Sequence, residues 1–221
     1  MTNEVIFIVT IVVNFGLILF ASRRGREFLF ATVAVNLVLI SVFGAKLISV
    51  FGFVTNTGNV FYAGVFLATH MLIENYGKED GYRTIRIGAF VVFLFLLMAQ
   101  FTFDLTGYAG TAAANSAIDN LFRNIPRVGI ASISAFIVAQ YVNVRFYSLL
   151  KNKTKDKKLW LRDNASNLLG QFVDSVLFFS IAFIGTVPNT VLVQILMGGF
   201  MVKVIVGAVG TSFLYASRRT K

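Results

Sequence analysis

Apolar residues run in long stretches broken by short polar ones, and the stretches are too long for strands. A helix needs about 20 mostly apolar residues to cross a bilayer. Seven segments approach that length: 4–21, 28–50, 58–76, 85–106, 126–149, 165–185 and 189–216. The third is the least apolar, because it carries His70, Glu74 and several small residues, so a tilted or broken helix is expected there. A β-barrel would show weak alternation instead of such runs. The pattern predicts an all-α integral membrane protein, a bundle of seven transmembrane helices forming one domain over residues 1–221.

The charges sort by connection. Arg23, Arg24 and Arg26 follow the first segment, and Lys78, Arg83 and Arg86 lie at the third-to-fourth connection. Six more lie between Lys151 and Arg162, and Arg218, Arg219 and Lys221 end the chain. The opposite connections hold little beyond Arg123 and Arg127. Basic loops stay on the cytoplasmic side, which predicts the N-terminus outside, the C-terminus inside and a cytoplasmic-membrane location. The first segment lacks a basic leader, and arginines follow it, so it is expected to stay as a helix and not be cleaved as a signal. The polar connection 107–124 is expected to lie outside.

Composition agrees with the pattern. Of 221 residues, 57% are hydrophobic and 14% charged, with 24 Phe and 2 Pro. Such a chain is neither disordered nor an ordinary cytosolic enzyme. A net charge of +10 raises nucleic acid as a partner. Loop basic residues facing anionic lipid explain it better, so the bilayer is the expected partner and nucleic acid is not. There is no Cys and one His, so thiolate chemistry is excluded and a histidine-rich metal site is not expected. No Walker sequence, GxSxG elbow or HExxH occurs, so no catalytic residue, metal or cofactor is assigned and ATP hydrolysis would need a separate module.

Polar groups inside the spans carry the functional reading, since an ionisable residue at mid-membrane costs about 2.5–3.5 kcal/mol on insertion scales and is tolerated facing a bundle interior or cavity. Asn164, Asn167, Gln171 and Asp174 form one helical stripe in segment six. Gly199, Lys203, Gly207 and Gly210 share a face of segment seven, and Lys203 is placed to pair with Asp174. Segment five carries Gln140 and Asn143, and segment three carries His70 and Glu74 at i, i+4. That spacing suits a metal pair, but no third ligand is near in sequence. Arg127 with Asp104 is expected as an outer ion pair, and Trp160 with Arg162 as an interfacial anchor. Carboxylates, amides and one cation beside aromatic rings suit a planar, hydrogen-bonding solute. The candidate solute-binding residues are His70, Glu74, Gln140, Asn143, Asn167, Gln171, Asp174 and Lys203.

These residues also carry a resemblance. The first stretch is Gly44-Ala45-Lys46, Gly58, Glu74-Asn75-Tyr76-Gly77 and Arg86-Ile87-Gly88. The second is Arg127, Ala131-Ser132, Ala135-Phe136, Gln140, Leu159-Trp160-Leu161-Arg162, Asn164, Ser166, Gln171, Asp174-Ser175 and Lys203. Over about residues 40–215 the chain resembles the queuosine precursor transporter family, also called the vitamin uptake transporter family. The resemblance implies import of a 7-deazaguanine such as 7-cyano-7-deazaguanine, by alternating access. It also implies a six-helix core over 28–217, similar to the substrate-binding subunits of energy-coupling-factor transporters, with residues 1–27 as an extra N-terminal helix and basic loop. Glu74, Arg127, Gln140, Gln171, Asp174 and Lys203 match its motif positions. His70 and Asn143 stand where the family pattern has Asp; Ser41, Ala63 and Asn167 also depart from it.

Two other readings fit the residues less well. One is a binding subunit energised by a separate ATPase module. The other is a membrane protein whose polar stripes serve only helix packing.

Overall fold

A computed structural model describes residues 2–44, 46–123, 125–183, 185 and 189–218. Ala45, Asn124, Arg219 and Lys221, which figured in the sequence reading, lie outside the described residues. Helix α1 (Asn3–Arg24) turns sharply into α2 (Arg26–Phe43) at Gly25, whose φ of 124° is open to glycine and costly for other residues. The hairpin β1 (Leu47–Val50) and β2 (Phe53–Asn56) follows, paired antiparallel from Leu47↔Asn56 to Val50↔Phe53. Both turn residues, Phe51 and Gly52, have positive φ, as a tight hairpin turn of right-handed twist requires. The second apolar segment was expected to run as helix to residue 50. It stops at Phe43, and Lys46 stands just ahead of the hairpin instead of on a helix.

Helix α3 (Gly58–Tyr76) breaks at Gly77 before α4 (Lys78–Asp104). Helices α6 (Ile125–Lys153), α7 (Leu159–Phe183) and α8 (Asn189–Ser217) complete the bundle. The outer connection folds into a short helix, α5 (Ala112–Phe122). None of its residues is buried, and it leans on α4 through the Phe122 ring, whose centroid is 6.1 Å from that of Phe95.

The fold class is as the pattern predicted. Six of the seven expected segments lie in helices long and apolar enough to cross a membrane: α1, α2, α4, α6, α7 and Gly199–Ser217 of α8. Their outward faces carry Val12, Phe20, Phe28, Phe90, Phe93 and Phe101 to the surface, where lipid tails replace water as solvent. Segment three falls short on hydropathy for a structural reason. Helix α3 is the axis of the bundle, with 15 of its 19 residues buried from Gly58 to Ile73. It needs no apolar outer face because α1, α2, α4, α6 and α8 all pack around it. At 1.5 Å per residue it is still about 28 Å long, close to the hydrocarbon thickness.

Helix α1 is more than an appendage. Asn14 on α1 donates to Asn36 on α2 at 3.0 Å in the interior, and Gly64 of α3 lies against both side chains. Phe15 and Ile18 are fully buried in the same core.

Candidate functional site

The interior polar residues fall in layers, because one stripe on each helix repeats at about four residues. On α3 the stripe is Tyr62, Phe66, His70 and Glu74. On α8 it is Lys203, Gly207 and Thr211; on α7 it runs from Arg162 and Asp163 through Asn167 and Gln171 to Asp174. Helix α7 runs opposite to α3, so Tyr62 meets Asp174 while Glu74 meets Arg162.

At the basic end, the Arg162 guanidinium grips Glu74 with both arms: Nε to Oε1 at 3.0 Å and Nη2 to Oε2 at 2.8 Å. The Tyr147 hydroxyl donates to Glu74 Oε1 at 2.9 Å, and the Lys151 ammonium lies 3.7 Å from the same oxygen. Arg218 Nε is 3.8 Å from Oε2. Arg162 is 0% exposed, which corrects its reading as an interfacial anchor. Helix α7 begins at Leu159, before the apolar run does, and carries Arg162 inward. Trp160, 56% exposed, fits the interfacial reading.

One layer in, His70 Nδ1 lies 2.6 Å from Asp163 Oδ1, and Nε2 lies 2.9 Å from Asn143 Oδ1. Thr211 Oγ1 donates to the other carboxylate oxygen at 2.5 Å and accepts from Asn164 at 2.9 Å. Asp163 was absent from the sequence candidates because it precedes the apolar run. The signal was present: Asp163, Asn167 and Gln171 are spaced by four.

The middle layer holds amides. Asn143 Nδ2 donates to Gln140 Oε1 at 3.4 Å, and Gln171 Nε2 donates to Asn167 Oδ1. Two buried atoms here have no hydrogen-bond partner: Gln140 Nε2, a donor, and Gln171 Oε1, an acceptor. Gly170 and Gly207 make this layer possible. A Cβ at Gly170 would stand 3.0 Å from Asn143 Cβ, and one at Gly207 would collide with the Asn167 amide.

The far layer is an ion pair. Lys203 Nζ donates to Asp174 Oδ2 at 2.8 Å and to Ser175 Oγ at 3.2 Å, and the Tyr62 hydroxyl donates to Asp174 Oδ1 at 2.7 Å. The pairing expected of Lys203 with Asp174 is therefore made. Tyr62 was missed, although it lies eight residues before His70 on the same stripe. Arg127 Nε reaches the Ile181 carbonyl at 3.1 Å, and Asp104 accepts from Gln100 at 3.0 Å; these contacts take the place of the expected outer pair.

The structure thus brings Gln140, Asn143, Asn167 and Gln171 together at mid-depth, with Asp174 and Lys203 beyond them. It does not bring Glu74 to Asp174: their partners Arg162 and Asp174 are 12 residues apart on α7, about 18 Å. A cavity of about 380 Å³ lies elsewhere, between α1, the hairpin and α8, walled by apolar residues such as Phe7, Ile11, Phe53 and Val206.

Comparison with known proteins gives the family. Residues 56–217 match the family model described as "Putative vitamin uptake transporter". A "Probable queuosine precursor transporter" of Bacillus subtilis (strain 168) is 30% identical over 196 residues, 86% of this chain and 81% of that protein. The "Queuosine precursor transporter" of Escherichia coli (strain K12) is 27% identical over 136 residues, 62% of this chain and 58% of that protein. A "Probable queuosine precursor transporter" of Haemophilus influenzae is 27% identical over 133 residues, covering 60% and 54%. No solved structure matches. With six candidate spans among the described residues around a polar interior, this chain belongs to the vitamin uptake transporter family that includes the queuosine precursor transporters, and it is a multi-pass membrane transporter, not an enzyme.

Proposed function

We propose that the protein imports a 7-deazaguanine precursor of queuosine across the cytoplasmic membrane, its basic end facing the cytoplasm, by alternating access about the amide layer. The two unpartnered amide atoms carry this reading. A buried polar atom without a partner costs about 1–3 kcal/mol, so a pair of them at one depth marks a place where a ligand repays that cost. Gln140 Nε2 is matched by the ring carbonyl of a guanine-like base, and Gln171 Oε1 by its N–H edge. Phe66, against Gly170, offers a ring to the heterocycle face. Asp174 and Lys203 neutralise each other at the far side of the layer, and Glu74 with Arg162 closes the near side.

The relatives' names supply the solute class; the amides supply a reason for it. Uptake of labelled 7-deazaguanines is measured in cells unable to make queuosine, with and without this protein. Expression of the intact chain restores uptake. Gln140→Ala and Gln171→Ala each weaken apparent affinity about 10- to 100-fold, the worth of one or two buried hydrogen bonds, while membrane insertion is unchanged. Uptake equal with and without the protein refutes the reading.

A further inference from the structure

We propose that the buried His70–Asp163 pair is a proton-binding site that couples solute import to proton entry; this rests on the transport reading above and names its driving ion. Each imidazole nitrogen faces an oxygen: Nδ1 the Asp163 carboxylate at 2.6 Å, Nε2 the Asn143 amide oxygen at 2.9 Å. The amide nitrogen of Asn143 is engaged with Gln140, so its oxygen is the atom turned to the ring. A neutral imidazole has one N–H and satisfies one acceptor; two acceptors call for the doubly protonated ring. Asp163 is an ionised partner for it, its second oxygen taken by Thr211.

The surroundings leave this proton without a substitute. Helix α6 contributes the Tyr147 ring at 4.2 Å, whose hydroxyl is committed to Glu74. Helix α7 contributes Arg162, itself committed to Glu74. That carboxylate, one turn along α3, is also faced by Lys151 and Arg218. Helix α8 contributes Thr211 here and Lys203 two turns away, paired with Asp174. Against α3, α1 and α2 present the uncharged Asn14 and Asn36 at Gly64, and α4 packs Gly81 on Ile73. Loss of the His70 proton therefore leaves the Asp163 carboxylate buried without a cation, a state this packing disfavours.

The pair is also wired to the solute layer. His70 Nε2 meets Asn143, Asn143 meets Gln140, and the free Gln140 Nε2 points to where the solute is proposed to bind. A solute that reorients Gln140 changes the acceptor offered to His70, and by linkage the proton changes solute affinity equally. In the cycle one N–H bond forms at the imidazole on the outer side and breaks on the cytoplasmic side, delivering one proton with each solute.

His70 is the only histidine in the chain, so histidine-specific 15N labelling reports a single imidazole. The two acceptors facing the ring predict a proton on both of its nitrogens, and 15N signals that move when 7-cyano-7-deazaguanine is added. A proton on one nitrogen alone, or signals indifferent to solute, overturns the proposal. Proteoliposomes give the transport arm, with a trapped pH dye. An inward gradient of one pH unit drives about tenfold accumulation for one proton per solute. His70→Gln with Asp163→Asn, which keeps hydrogen bonds and removes both charges, loses the pH-driven accumulation by a larger factor than it lowers labelled solute exchange. Accumulation undiminished in that double variant, or exchange in the wild type without proton entry, shows the pair to be a packing contact. A wild type that exchanges no 7-deazaguanine refutes the transport reading itself, while the histidine 15N signals still report on the pair.

Discussion

Glu74 illustrates how burial fixes a side chain's job. Its carboxylate takes two hydrogen bonds from Arg162 and one from Tyr147 in a site closed to solvent. A buried pair adds little net stability, yet removing one partner strands a charge at a cost of about 3–5 kcal/mol. Arg162→Ala is therefore expected to destabilise the protein by about that amount, read as a fall in thermal midpoint in detergent. Pairing it with Glu74→Gln is expected to recover much of the loss, because no charge is then stranded. A single variant as stable as the wild type would mean that Lys151 and Arg218 suffice to hold Glu74. Asp174 is bound in the same manner by Lys203 and Tyr62, which leaves the amides as the groups with capacity to spare.

Among the elements, α3 has the unusual duty. Its segment is the least apolar of the seven expected spans, and it is the most enclosed of the described helices. Close approach by α1 and α2 depends on Gly64, where a Cβ would stand 2.7 Å from Asn14 Nδ2 and 2.9 Å from Asn36 Oδ1. Gly64→Val is expected to break the Asn14–Asn36 hydrogen bond and to destabilise the bundle by about 1–3 kcal/mol through overpacking, as thermal unfolding would show. The same substitution at Gly16, where nothing lies within 4 Å, serves as control and is expected to shift the midpoint far less.

For the molecule as a whole, the basic connections and the Glu74 ion cluster share one end, since Arg162, Lys151 and Arg218 all converge there. That end is proposed to be cytoplasmic by the positive-inside rule. The chain has no cysteine, so single introduced thiols report cleanly. Ser116→Cys in α5 is expected to react with a membrane-impermeant maleimide in intact cells, and Lys155→Cys only after the cells are opened. The reverse pattern would invert the proposed topology.

The local pattern determined what local physics controls. Apolar runs of membrane-spanning length gave the helices, and the structure departs from them at their ends and in one connection: residues 47–56 form a hairpin, α7 starts six residues ahead of the expected segment, and α5 forms between two expected spans. Stripe periodicity likewise singled out Gln140, Asn167, Gln171, Asp174 and Lys203, since a helix repeats by geometry alone. Partner choice was not legible in this way. It depends on the depth at which one helix meets another, and a shift of one turn would exchange His70 for Glu74 opposite Asp163. Only the packed bundle decided that Arg162 takes Glu74, that Asp163 takes His70, and that Gln140 and Gln171 are each left with one atom unsatisfied.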